Sequence, residues 1–155
     1  MDPAEIDRAR EPMLALHRHE LGVQPALAGA PARSDEEFWE RYRERFAGWF
    51  DDGGVAFLAV DGDDRVVGFL FGTEREGHPG YDNGERVGYI EDIAVLPEAR
   101  GSGAGRALVD AAKDAYRRRG YSHVQLSTVP GNDEARSFYE HLGFQRSAVL
   151  MLGDL

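Results

Sequence analysis

Two hydrophobic periods take turns along the chain, and each switch marks an element boundary. Residues 6–21 read as a first helical stretch, and residues 22–34, rich in Gly, Ala and Pro, as a loop after it. Ser34-Asp35-Glu36-Glu37 is a capping box, a local signal for a helix start. The helix it opens repeats Phe38, Tyr42, Phe46 and Trp49 at helical spacing and ends at Gly53-Gly54. These aromatics and Trp39 are expected in the core, although Phe38 or Tyr42 could also touch a substrate. Strand patterns follow at residues 55–60 and 65–73, joined by the turn Asp61-Gly62-Asp63-Asp64. After a polar loop with Asn83-Gly84, residues 87–96 form a third, more apolar strand that Pro97 stops.

A long helix then runs to about residue 119, with Ala107, Leu108, Ala111, Ala112, Ala115 and Tyr116 as its apolar stripe. Gly120 ends it. Residues 123–129 read as a strand. Asn132 caps a short helix that carries Ala135, Phe138, Tyr139 and Leu142 on one face, and Gly143 stops it. Residues 144–152 give a final strand pattern. The order predicts a mixed α/β architecture around a central sheet, with residues 1–155 as one domain.

Composition narrows the function. The net charge of −10 disfavours nucleic-acid backbones and suits a cationic partner such as an amine, although solubility alone also explains it. No apolar run reaches membrane-spanning length, the first residues do not resemble a secretory signal, and there is no cysteine. The expectation is a cytoplasmic protein without a membrane or nucleic-acid partner, without disulfides and without a cysteine nucleophile. No metal is expected. Asp61, Asp63 and Asp64 lack the spacing of a calcium loop, and His17 and His19 face apart on a helix.

The segment Arg100-Gly101-Ser102-Gly103-Ala104-Gly105-Arg106 leaves a strand and enters a helix. Glycines there let a ligand approach the backbone closely. The first amides of the helix have no internal partner, and the helix dipole adds to their pull on an anion. Neither GxxxxGK[ST] nor GxGxxG fits, since Arg106 stands where the latter needs glycine. The pattern that does fit is [QR]xxGx[GA], through Arg100, Gly103 and Gly105. A glycine-rich turn that merely allows tight packing is the plain alternative.

A second segment, Asn132-Asp133-Glu134-Ala135-Arg136-Ser137-Phe138-Tyr139-Glu140-His141-Leu142-Gly143-Phe144, matches NxxAxxxYxxxGF at all five signature positions. Together the two segments resemble the GNAT superfamily of acetyl-CoA-dependent N-acetyltransferases. The resemblance implies a mixed, mostly antiparallel sheet with a V-shaped splay between two parallel strands, flanked by about four helices. It implies acetyl-CoA as cosubstrate, with its pyrophosphate on residues 100–106 and its pantetheine on the backbone of Ile93, Ala94 and Val95 and on Asn132. Tyr139 is then the general acid for the departing thiolate. Such proteins commonly begin with a short strand, of which residues 1–11 show little sign. Dimerisation is common among them, so a homodimer is an open expectation.

Glu91 and Asp92 sit in the apolar strand Tyr89-Ile90-Glu91-Asp92-Ile93-Ala94-Val95, where burying charge needs a reason. Amine acetylation supplies one, because the ammonium group must lose a proton before attack. Glu91 is expected as the base, directly or through a water, and Asp92 as amine binder or structural anchor. Strand alternation puts them on opposite faces unless a bulge intervenes. The reaction expected is acetyl transfer to a primary amine in a ternary complex. The alternative is a non-catalytic acyl-CoA sensor, which the presence of Glu91 and Tyr139 disfavours.

Overall fold

The computed structural model describes residues 1–23 and 31–148. The elements run α1 (Arg10–Val23), α2 (Asp35–Asp51), β1 (Val55–Val60), β2 (Val66–Glu76), β3 (Arg86–Val95), α3 (Ala104–Arg118), β4 (Val124–Leu126) and α4 (Asp133–His141). Short 3-10 turns, Pro3–Ala9 and Pro97–Ala99, precede α1 and follow β3. The sheet order is β1-β2-β3-β4, with the first two pairings antiparallel and β3–β4 parallel. This is the expected mixed α/β sheet. Among the described residues the first strand is β1, so no strand precedes α1. No described helix is long and apolar enough to cross a membrane.

Local chemistry sets the helix starts. The Ser34 hydroxyl accepts from the Glu37 amide, and the Glu37 carboxylate accepts from the Ser34 amide at 3.1 Å. Strand alternation then divides the core. Ala56, Phe69, Phe71 and Ala94 face α1 and α2, where they meet Met13, Trp39, Tyr42 and Phe46. Val55, Leu70 and Ile90 face α3. Phe38 and Trp49 pack against the first core only partly buried.

Several boundaries differ from the sequence expectation. β2 runs on to Glu76 because Arg86 pairs with it there. The α3 stripe includes Val109, which is fully buried, while Ala107 is exposed. Leu108, Val109, Ala112, Ala115 and Tyr116 complete an i, i+1, i+4, i+7, i+8 repeat that Ala107 does not fit. β4 keeps only three of the seven residues expected, since its ladder with β3 ends at Ile90 opposite Leu126. Residues 144–148 are not in a strand, and the rest of the expected last strand lies outside the described residues.

Candidate active site

The end of the β3–β4 ladder at Ile90 leaves residues 91–95 with no strand neighbour on the β4 side among the described residues. The Leu96 amide donates to the Val67 carbonyl across β2, at 2.8 Å. By alternation the main-chain groups of Val95 and Ile93 turn to the open edge, and those of Ala94 turn to β2. Of the three residues expected to offer backbone groups, Ile93 and Val95 therefore can.

That open edge borders a cleft of about 400 Å³. One end is formed by Arg100, Gly101, Gly103, Gly105 and Arg106. Gly103 is the N-cap of α3, with φ of 92°, and Gly101 has φ of 79°. Both need the left-handed backbone, and a Cβ on either would meet nothing within 4 Å. Gly105 differs: its Cβ would lie 3.2 Å from Cζ of Phe138. Two glycines thus shape the turn and the third admits α4. The first i→i−4 bond of α3 runs from the Ala107 amide to the Gly103 carbonyl. Among the amides before it, that of Ala104 meets the Ser102 hydroxyl at 3.3 Å. Those of Gly105 and Arg106 have no acceptor among the described residues and can serve an anion. Ser102 and Ala104 shape this turn without lining the cleft. Arg100 reaches Glu134 of α4 at 3.4 Å.

The opposite wall is α4 and α1. Asn132 lines the cleft while its Oδ1 caps α4 through the Ala135 amide at 3.1 Å. Tyr139 lines it too, 8% exposed, and its hydroxyl has no protein partner among the described residues yet is not sealed from solvent. Burial raises its phenol above the ordinary range, and the Asp92 and Glu20 charges add to that. α1 contributes Ala15, Leu16 and His19, which no sequence motif marks as site residues. Helical periodicity reveals a face, not what it meets. His17 and His19 do point apart: His17 stacks on Phe38, with ring centroids 3.9 Å apart.

The acidic pair is divided by a bulge. Phe71 pairs with Asp92 and Gly72 with Ile90, so Glu91 is the extra residue. Both carboxylates consequently lie on the face of Phe71 and Thr73. Glu91 accepts from the Thr73 hydroxyl at 2.6 Å and meets Arg75 at 3.5 Å. It lines a second, polar cavity with Trp49, Asp52 and Arg86, and not the cleft. Asp92 accepts from the Tyr42 hydroxyl. By surface area Asp92 is only half-buried, but the protein crowded around it raises its carboxyl to about 7, and the Glu20 charge adds to this. Glu20 on α1 is itself raised by burial, against the pull of His17 and His19. The Glu20 charge on α1 thus reaches both Asp92 on β3 and Tyr139 on α4.

Residues 13–144 match the profile of the acetyltransferase (GNAT) family. A mycothiol acetyltransferase from Arthrobacter sp. (strain FB24) is 38% identical over 106 residues, covering 68% of this chain and 32% of that protein. The chain spans about a third of the length of the curated relatives it matches. A tetramutant of the BH1408 protein from Bacillus halodurans superposes with a TM-score of 0.77 at 16% identity, over 100% of this chain and 97% of that one. The aminoglycoside N-acetyltransferase AAC(6')-Iy, solved in complex with CoA, gives 0.75 at 18% identity, over 100% and 91%. At these identities the likeness is one of fold. The family match covers the open edge of β3, the glycine turn and α4 alike, and the chain belongs to the acetyltransferase (GNAT) family.

Proposed function

We propose that the protein transfers an acetyl group from acetyl-CoA to a primary amine by direct attack in a ternary complex. The observation that carries this reading is the cleft itself, where the start of α3, the open edge of β3 and Tyr139 border one space. The free amides of Gly105 and Arg106, with the guanidinium groups of Arg100 and Arg106, suit a diphosphate. The groups of Ile93 and Val95 suit pantetheine amides, as an added strand would. A neighbour of the same fold solved with CoA supports CoA as the ligand.

Within that frame Asp92 takes the proton of the acceptor ammonium, and the freed nitrogen attacks the thioester carbon. An amide of Ile93 or Val95 supports the developing oxyanion. The carbon–sulfur bond breaks, and Tyr139 protonates the sulfur. Neither carboxylate lines the cleft; Asp92 is placed here ahead of Glu91 because it directly precedes the cleft-lining Ile93, whereas Arg75 and Thr73 already engage Glu91 and it faces the other cavity. The net charge of −10 favours a cationic acceptor. Relatives named mycothiol acetyltransferase support a small-molecule one.

The test is titration calorimetry with acetyl-CoA, followed by free-thiol release over a panel of amines. Binding with thiol release for any amine supports the transferase. Binding with no turnover across the panel favours the non-catalytic acyl-CoA sensor. Absence of binding overturns both.

A further inference from the structure

We infer that Tyr42 is a positioning residue for Asp92: its hydroxyl holds carboxylate Oδ2 and leaves Oδ1 as the oxygen that meets the acceptor amine. The inference rests on the reading of Asp92 as base. It comes from the way α2 lies against β3, an arrangement no motif marks.

Tyr42 is 8% exposed and hemmed in by rings. Phe38 lies 5.1 Å away between centroids, Phe46 4.8 Å and Trp49 6.2 Å, the last two edge-on. Such packing removes the freedom of the phenol ring. The ring therefore delivers its hydroxyl to one point, and Asp92 Oδ2 stands there. Among the described residues no other donor reaches Asp92, and its Oδ1 is neither bonded nor a sealed buried atom. A carboxylate with one oxygen fixed and one free is oriented, and orientation is what a general base requires.

The surroundings give the hydrogen bond a second effect. Glu20 of α1 acts on Asp92, Asp92 and Glu20 both act on Tyr139 of α4, and His19 of α1 lines the cleft that Tyr139 also borders. Glu91, next along β3, is turned to Thr73 and Arg75. The Glu20 charge disfavours ionised Asp92, whereas a hydroxyl donor favours it. Tyr42 thus opposes Glu20 and keeps the base available near neutral pH. A ring serving only as core filler would need no hydroxyl, and Phe38 and Phe46 on the same helix have none.

The experiment uses protein carrying ¹³C at Asp side chains, with the Asp92 signal assigned through its loss in Asp92→Asn. In Tyr42→Phe, which keeps the ring, the Asp92 titration midpoint is expected to rise by about one pH unit, the scale of one hydrogen bond to a charged group. Phe46→Leu disturbs the same aromatic column without touching the hydroxyl and is expected to leave the midpoint in place. An unmoved midpoint in Tyr42→Phe, or an equal shift in Phe46→Leu, overturns the inference. The reading of Asp92 as base fails separately, if Asp92→Asn keeps full thiol release, so the two failures are distinguishable.

Discussion

Gly88 lies beneath the ring of Tyr116, and a Cβ on residue 88 would fall inside that ring's van der Waals shell. Gly72 meets the hydroxyl end of the same side chain in the same way. The hydroxyl lies 2.8 Å from the Thr73 carbonyl and 2.9 Å from that of Tyr89. Two glycines on β2 and β3 thus seat α3 beside the bulge that carries Glu91 and Asp92. Gly88→Ala is expected to lower stability by about 1–3 kcal/mol, because the clash is with a fully packed ring. Tyr116→Phe should lose about 1 kcal/mol with the hydroxyl. Urea unfolding measures both, and a Gly88→Ala midpoint equal to wild type would contradict the seating.

Asp92 gives a prediction with opposite signs for rate and stability. As base it works ionised, so turnover should rise with pH through about 7. Asp92→Asn should abolish that limb and slow turnover by about a hundredfold or more, with acetyl-CoA affinity retained. For stability the folded carboxyl keeps its proton to about 7, while the unfolded one releases it near 3.8. The folded state then binds more protons between those values, and the stabilisation present at low pH is lost as pH rises through about 7. Asp92→Asn resembles the neutral form. It should melt above wild type at about pH 8 and close to it at about pH 4. Melting curves with the order reversed would count against the burial of this carboxyl.

What the sequence disclosed was chiefly local. Ser34 with Glu37, and Asn132 with Ala135, are caps whose partners lie three residues away, so composition suffices to place them. The roles of Gly101 and Gly103 were half legible: the pattern leads to the expectation of an anion-binding turn, but only the backbone angles show that conformation, not crowding, demands glycine. The acidic pair was not separable in advance. The bulge at Glu91 exists in the register against Phe71 and Gly72, residues about twenty positions away. The approach of Tyr42 and Glu20 to Asp92 likewise depends on how two helices pack on the sheet. The helical segment 6–21 could be foreseen, but not that Leu16 and His19 would wall the cleft.

Tyr139→Phe removes the hydroxyl proposed to protonate the leaving sulfur while keeping the ring that packs against Phe138 and Phe144. Turnover should fall by about a hundredfold, with acetyl-CoA affinity nearly unchanged. Burial raises the phenol, so it stays protonated through neutral pH and contributes no falling limb to the wild-type profile there. Steady-state kinetics beside calorimetry decide this. A variant with wild-type turnover would remove Tyr139 from the acid role, and one with lost affinity would make it a binding residue instead.

Gly105 separates charge from space at the proposed diphosphate site. In Gly105→Ala the new Cβ stands 3.2 Å from Cζ of Phe138, so the ring must give by a few tenths of an ångström. Gly105→Asp makes the same contact and adds a carboxylate in the first turn of α3. A negative charge there is favourable for the helix itself, by about 0.3–1 kcal/mol, so the fold should tolerate it. The same charge competes with a diphosphate for the free amides and repels it. CoA affinity should therefore fall modestly in Gly105→Ala and by at least about a hundredfold in Gly105→Asp, with the larger loss shrinking as salt is added. Calorimetry at two ionic strengths checks it. Equal losses in the two variants would mean that packing against Phe138, and not the helix start, is what matters for binding.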